Sequence, residues 1–509
     1  MVRYYRVLYY FKQQFSGKLK CKVAFDPETE VPGFAGYFLT REFLRELGLK
    51  LLCLSNGHGE DAIALRILRE LQQHPHPPEL AVFPLVGEGQ AFAQLENARI
   101  IGPVQRMPSG GFIYMDRREF LRDVKGGLIQ LTIAQFKAIR AWVRTQQQSG
   151  NQNGVILACG DIVPLLFAWL SGAPYAFVGT AKSEYYLRDE DGPLARKSRP
   201  FGGWSWSRSV YLPWERWLMT RERCRAVFAR DALTAETLQK LGIPAYNLGN
   251  PMMDGLEPEN PAGFYGPDAE FRERSRSLVI TLLPGSRAPE AYANWLLIVE
   301  AVAGILSLFA DRKLLFFGAI SPELNLEALR PSLDFFGWRQ DGETRTQRRE
   351  GSILRPAVSS HQEMRKESPN LLLPLTFVQR NATMILTQQS FNDCLYEADL
   401  AIAMAGTATE QFVGLGKPAI AIPGNGPQFT PAFAEAQSRL LGPSLILVKH
   451  PAEVAGAMQS LLRDPDRLQL IAENGWRRMG EPGAAARIAK CLIQRLGGES
   501  SNSQLPPIH

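Results

Sequence analysis

The strongest constraint in this sequence is a local grammar that occurs twice: an apolar run, a glycine loop, then an apolar stripe at helical spacing. The first copy reads Leu51-Leu52-Cys53-Leu54, then Ser55-Asn56-Gly57-His58-Gly59-Glu60-Asp61, then Ile63, Ala64, Ile67, Leu68 and Leu71. The second reads Leu278 to Leu283, the loop Pro284-Gly285-Ser286-Arg287, then Trp295, Ile298, Val299, Val302 and Leu306. An apolar run without polar alternation fits a strand buried on both faces, as in a parallel sheet covered by helices. The pattern predicts two Rossmann-like α/β domains.

Further short apolar runs extend both sheets. Leu80 to Leu85, Val155 to Cys159 and Tyr175 to Val178 belong to the first; Leu314 to Phe317, Leu400 to Met404, Ala419 to Ile422 and Leu445 to Val448 belong to the second. The expected layout is an N-terminal extension (1–49), a first domain (50–255) with a Trp/Arg-rich insertion (185–225), and a linker (256–275) marked by Pro258, Pro261 and Gly263. A second domain follows (276–470), with a surface insertion at 338–370 that is rich in Arg, Gln, Glu and Ser, and then C-terminal helices and a tail (471–509).

Bulk properties exclude several classes. A chain of 509 residues exceeds one ordinary core. With 57 Lys and Arg against 51 Asp and Glu, the net charge of +6 is too mild for a general nucleic-acid binder. The six cysteines are scattered with no CxxC pair, so they read as reduced thiols of a cytoplasmic protein and no metal site is expected. Arg3, Arg6 and Lys12 interrupt the N-terminus, unlike a secretory signal, and the longest uncharged stretch, Ile162 to Ala181, is broken by Pro164, Gly172 and Pro174. It reads as a buried helix and strand, and no transmembrane helix is expected.

The most specific segment is Ala405-Gly406-Thr407-Ala408-Thr409-Glu410, between an apolar strand and a helix. A glycine and small residues let a phosphate approach the backbone, while the helix offers uncommitted N–H groups and its positive end. Glu410, one turn in, is placed to accept hydrogen bonds from vicinal ribose hydroxyls; the alternative is a capping acid paired with Thr407. Gly285, Ser286 and Arg287 supply a second glycine turn and a cation for a leaving diphosphate, unless Arg287 simply pairs with Glu290.

Two residues of the first domain are candidate bases for an acceptor hydroxyl. Asp161 follows the strand Val155 to Gly160 and precedes an apolar helix, where an N-cap is the plainer role. His58 lies in the first glycine loop, where bonding to loop backbone is the plainer role. Trp204, Trp206, Trp214 and Trp217 stand among Arg199, Arg208 and other basic residues, a mixture suited to a lipid-headgroup boundary. An insertion packed by its own tryptophans, or a surface that stacks single strands, uses the same residue types.

With these segments in hand, the chain resembles the lipid-A-disaccharide synthase family, and more closely its synthase-related group, over most of Lys50 to Leu496. The likeness rests on Leu282-Leu283-Pro284-Gly285-Ser286-Arg287 with Glu290, on Leu248-Gly249-Asn250-Pro251-Met252-Met253-Asp254, and on Ala405 to Glu410. The resemblance implies a GT-B fold and inverting, metal-independent transfer from a UDP-sugar to a lipid-borne acceptor at the inner face of the cytoplasmic membrane, with no cofactor. By it, Gly285, Ser286, Arg287, Gly406, Thr407 and Glu410 line the UDP site and Asp161 lies near the acceptor. The first glycine loop departs from the synthase's Gly-Glu-x-Ser-Gly-Asp. A UDP-sugar 2-epimerase shares the architecture without needing an acceptor, and a non-catalytic nucleotide-sugar-binding protein is a third reading.

Overall fold

The computed structural model describes residues 48–104, 128–148, 154–194, 209–258, 277–341 and 374–496. The chain divides into two compact units, Met1–Leu47 and Gly48–His509; the first lies outside the described residues, and the second holds both sheets.

The N-terminal lobe contains β1 (Lys50–Ser55), β2 (Glu79–Pro84), β3 (Arg99–Ile100), β4 (Gly154–Gly160), β5 (Tyr175–Gly179), the hairpin strands β6 (Arg188–Asp189) and β7 (Gly192–Pro193), β8 (Cys224–Phe228) and β9 (Ala245–Tyr246). All but the hairpin form one parallel sheet in the order β3-β2-β1-β4-β5-β8-β9. The period-2 side-chain alternation sorts its residues onto two apolar faces. Leu51, Cys53, Val155 and Leu157 face the helix His58–Gln72, while Leu52, Leu54, Ile156 and Ala158 face the helices Leu128–Gln148 and Ile162–Ser171.

The C-terminal lobe contains β10 (Leu278–Leu283), β11 (Leu314–Ala319), β12 (Arg339–Gln340), β13 (Leu375–Gln379), β14 (Ala382–Thr387), β15 (Leu400–Ala403), β16 (Ala419–Ala421) and β17 (Leu445–Leu447), ordered β12-β13-β14-β11-β10-β15-β16-β17. The strands from β14 through β11, β10, β15 and β16 to β17 are parallel, and at the other edge β13 pairs antiparallel with both β14 and β12. The crossover helix Glu290–Leu308 buries Trp295, Ile298, Val299, Val302 and Ile305 against this sheet. Among the described residues it alone is long and apolar enough to cross a membrane, and half of its apolar window is buried in the lobe.

The structure departs from the sequence expectation in three places. The described part of residues 185–225 belongs to the lobe rather than to an insertion: Tyr211, Leu218 and Met219 are buried, and the segment ends inside β8, an interior strand; residues 195–208 lie outside the described residues. The expected surface insertion at 338 begins later, because Trp338 is buried edge-on against Phe316 and the next two residues form β12. Residues 342–370 of it lie outside the described residues.

The expected linker also starts within the core. Leu256 is buried, and Asn392 donates to the carbonyls of Gly255 and Glu257. Met252 and Met253 pack between the lobes. Residues 259–275 of the linker are outside the described residues.

The C-terminus returns to the first lobe. The helix Pro465–Met479 starts behind its N-cap Asp464, and after a glycine break the helix Ala484–Leu496 packs on His58–Gln72. Asp254 fixes that return: its carboxylate accepts from the N–H groups of Gly483 (2.6 Å), Ala484 (3.0 Å) and Ala485 (2.6 Å). The Leu248 to Asp254 segment is therefore a structural tie. Gly249 takes φ +86°, Asn250 caps the short turn Pro251–Met253, and Arg487 donates to Leu248 O.

Candidate functional site

In an open parallel sheet, ligands bind where neighbouring strands send their connections in opposite directions. Here those switch points fall between β1 and β4 and between β10 and β15. The loops after these four strands carry Asn56-Gly57, Asp161, Pro284 to Arg287 and Met404 to Thr407, and all contribute to one cleft of about 770 Å3 between the lobes.

The C-terminal wall is a glycine-loop pair held from behind. Gly285 adopts φ +99°, a conformation that side chains resist. Asn294, buried in the crossover helix, donates to Pro284 O (3.0 Å) and Met404 O (3.3 Å), joining the two loops. Gln437 donates to Ala405 O and Gly406 O, both at 3.1 Å. The helix Thr407–Gly414 begins behind Gly406, which has no side chain to cap it, so its positive end opens toward the cleft.

Gly285, Ser286, Arg287, Gly406, Thr407, Ala408, Glu410 and Asp161 all line this cleft. Thr409 does not: it is fully buried, and its hydroxyl donates to Ala405 O at 2.5 Å. Thr407 is the first helical residue rather than the cap, one position too late for a capping box with Glu410. The Glu410 carboxylate instead accepts from Arg230 Nη2 of the opposite lobe at 2.8 Å.

Arg287 is half-buried, and burial lowers its pKa against the opposing pull of Glu323, Glu60 and Glu290. The Glu290 carboxylate accepts from the backbone of Gln428 and, at 2.6 Å, of Phe429, fixing the rim loop.

The N-terminal wall carries two carboxyls. Asp161 caps Ile162–Ser171 by accepting from Val163 N at 3.0 Å. Burial raises its pKa, with Lys182 opposing and Glu215 adding to the rise; Lys182 and Glu215 themselves pair at 2.6 Å. Glu60 is raised as well, chiefly by burial and then by the charges of Asp161 and Asp61. A carboxyl raised above its ordinary range beside another is an arrangement suited to proton transfer.

His58 opens the helix His58–Gln72, and its side chain is outside the described atoms. Trp204, Trp206, Arg199 and Arg208 lie outside the described residues. Trp214 and Trp217 are not part of the cleft lining. They stand 44% and 45% exposed on the helix Pro213–Met219, with Trp217 edge-on to Trp169 and Arg221 stacked over it at 4.3 Å.

Glu60, Arg230, Asn294 and Gln437 join the site only through the tertiary structure. Arg230 carries a partial sequence signal, since Ala229-Arg230-Asp231 sits between the short run of β8 and a helix, as the glycine loops do, but without a glycine.

The fold is GT-B: two Rossmann-like domains whose strand C-termini face a shared cleft. Among solved structures, the S. aureus MnaA–UDP co-structure is similar at TM-score 0.51, with 12% identity over 88% of this chain and 97% of that one. A putative UDP-N-acetylglucosamine 2-epimerase from Listeria monocytogenes follows at TM-score 0.49, 14% identity, 89% and 98% coverage. MurG from Acinetobacter baumannii gives 0.48, 15% identity, 88% and 99% coverage. At 12% identity the likeness to the MnaA–UDP co-structure extends to the fold alone. No family model and no curated protein matches the sequence.

Proposed function

We propose that this chain is a glycosyltransferase of the lipid-A-disaccharide-synthase type. In this reading it moves an N-acetylglucosamine-type or acylated glucosamine unit from UDP to a lipid-linked acceptor, with inversion, at the inner face of the cytoplasmic membrane. The observation that carries the reading is the division of one cleft into an anion-binding wall with Arg287 and an opposing wall with the raised carboxyls Asp161 and Glu60.

The chemistry follows from that division. An ionised Asp161 or Glu60 takes the acceptor hydroxyl proton, the freed oxygen attacks the anomeric carbon, and the bond from that carbon to the diphosphate oxygen breaks on the opposite face. A carboxylate whose pKa is raised is a stronger base than an exposed one. Charge gathering on the departing UDP is met by the helix N-terminus at Gly406 and by the Arg287 guanidinium, so the step requires no metal. Glu410 holds the ribose. The exposed Trp214 and Trp217, with Leu166 and Leu170 on the adjacent helix and Arg221 over Trp217, support a lipid-facing surface.

A second reading, UDP-sugar 2-epimerisation, is favoured by the two interacting carboxyls, since moving a proton to and from carbon needs an acid and a base but no acceptor. Labelled UDP-sugars separate the readings. Transfer predicts UDP release only when membrane lipid is added; a C2 epimer formed without lipid overturns it. Turnover of neither kind, with UDP still bound, points to a non-catalytic binding protein. Glu410→Ala should weaken UDP binding strongly, and unchanged affinity refutes the donor-site assignment.

A further inference from the structure

Arg230 and Glu410 meet across the cleft from opposite lobes. Arg230 lies between β8 and the helix Ala232–Lys240 of the N-terminal lobe, and Glu410 lies in the first turn of the donor-side helix. Their side chains are only 5% and 8% exposed, 180 residues apart in the chain, with Nη2 to Oε2 at 2.8 Å. Arg230 also donates through Nη1 to Thr180 O at 3.1 Å. Both residues line the cleft, so the pair occupies ligand space rather than core.

Glu410 thus has two uses for one carboxylate. Vicinal hydroxyls engage a carboxylate best through both oxygens, yet Oε2 is committed to the guanidinium in this structure. A buried ion pair contributes little net stability because desolvation offsets attraction, so exchanging it for two hydroxyl donors is close to balanced when the released guanidinium turns into the cleft that it lines. An exposed pair would be replaced by water first. The backbone beneath Arg230 is fixed, since Asp231 caps Ala232–Lys240 by accepting from Thr234 N at 2.8 Å. Any displacement of the pair therefore falls to the side chain, held by Thr180 O and Glu410.

We propose that the Arg230–Glu410 pair is an interlobe latch that a nucleotide with a vicinal diol must displace, which makes Arg230 a positioning residue that selects ribonucleotides. The inference rests on the donor-site reading of Glu410. A ribonucleotide takes both carboxylate oxygens and releases Arg230. A 2′-deoxyribonucleotide offers one hydroxyl, takes the second oxygen and leaves the latch closed.

The test is titration of the full chain with UDP and with 2′-deoxy-UDP, comparing the parent, Arg230→Gln and Arg230→Lys. With the competing cation gone, Arg230→Gln should bind UDP about tenfold tighter, the worth of one charge-assisted hydrogen bond, while 2′-deoxy-UDP affinity stays the same. Arg230→Lys should give a smaller gain of the same kind, about threefold, and carries the test if the glutamine variant does not fold. A purely structural pair alters stability without separating the two nucleotides. Equal shifts for both, no shift, or weaker UDP binding each overturn the latch. The Glu410→Ala control keeps the failures distinct: UDP affinity unchanged in that variant defeats the donor-site reading, whereas lost affinity there with no UDP gain in Arg230→Gln defeats only the latch.

Discussion

Asp254→Ala tests how the two lobes are tied. In the structure, three backbone N–H groups at the start of Ala484–Leu496 share one carboxylate, at 2.6, 3.0 and 2.6 Å. An N-cap side chain contributes about 1 kcal/mol, and a carboxylate on the positive end of the helix adds about 0.3–1 kcal/mol. Three N–H groups rather than one share the carboxylate, so about 2 kcal/mol, the upper end of that sum, is the expected loss. Spread over a chain of this size, 2 kcal/mol moves the melting temperature by only a few degrees. The local opening equilibrium is the better readout, since the same energy corresponds to about 30-fold faster amide exchange. Exchange should therefore accelerate by that factor in the first turns of Ala484–Leu496, and by about fivefold in Asp254→Asn, which keeps an acceptor but not the charge. Unchanged exchange there in Asp254→Ala would refute the reasoning.

Three further outcomes follow from the site. The Glu60 pKa is raised in the folded state, so the folded protein binds more protons than the unfolded one, and stability falls as pH rises from about 4.3 through the folded value. Glu60→Gln should therefore stabilise the protein at pH 7 and make no difference near pH 3; equal effects at both pH values on thermal melting contradict this. Arg287→Ala should lower kcat by about 10²–10³ with a smaller change in KM, as for loss of one group stabilising transition-state charge, and a kcat within threefold of the parent removes Arg287 from that role. Replacing Trp214 and Trp217 together by Ala should reduce co-sedimentation with anionic vesicles, and binding to them by the parent should fall as salt rises; salt-independent or unchanged binding argues against the lipid-facing surface.

The frame of the fold was legible because its signals are local. The β1, β4, β10 and β15 runs are apolar at nearly every position, since helices cover both faces of each sheet, and the glycine loops follow them directly. The strands β13 and β14 give no such signal, for the converse reason. β13 is antiparallel to both its neighbours and β14 joins it to the parallel strand β11, and both are half-buried, so their alternating pattern over five and six residues is weak beside a continuous apolar run. β8 lies at the end of a segment whose tryptophans and arginines have the composition of a surface, which masks its short apolar run.

The sequence by itself determined the repeated strand–loop–helix units, the glycines Gly285 and Gly406 that open the strand ends onto the cleft, and the caps of individual helices such as Asp161. Each depends on residues within a turn or two of one another. Tertiary structure alone decided that Glu60 lies beside Asp161, that Arg230 reaches Glu410 across 180 residues, and that Asp254 caps a helix starting 230 residues later. Those encounters follow from the order of strands in each sheet and from the return of the C-terminal helix to the first lobe. Strand order is set by the burial of whole sheet faces, a collective quantity that no local pattern of side chains encodes.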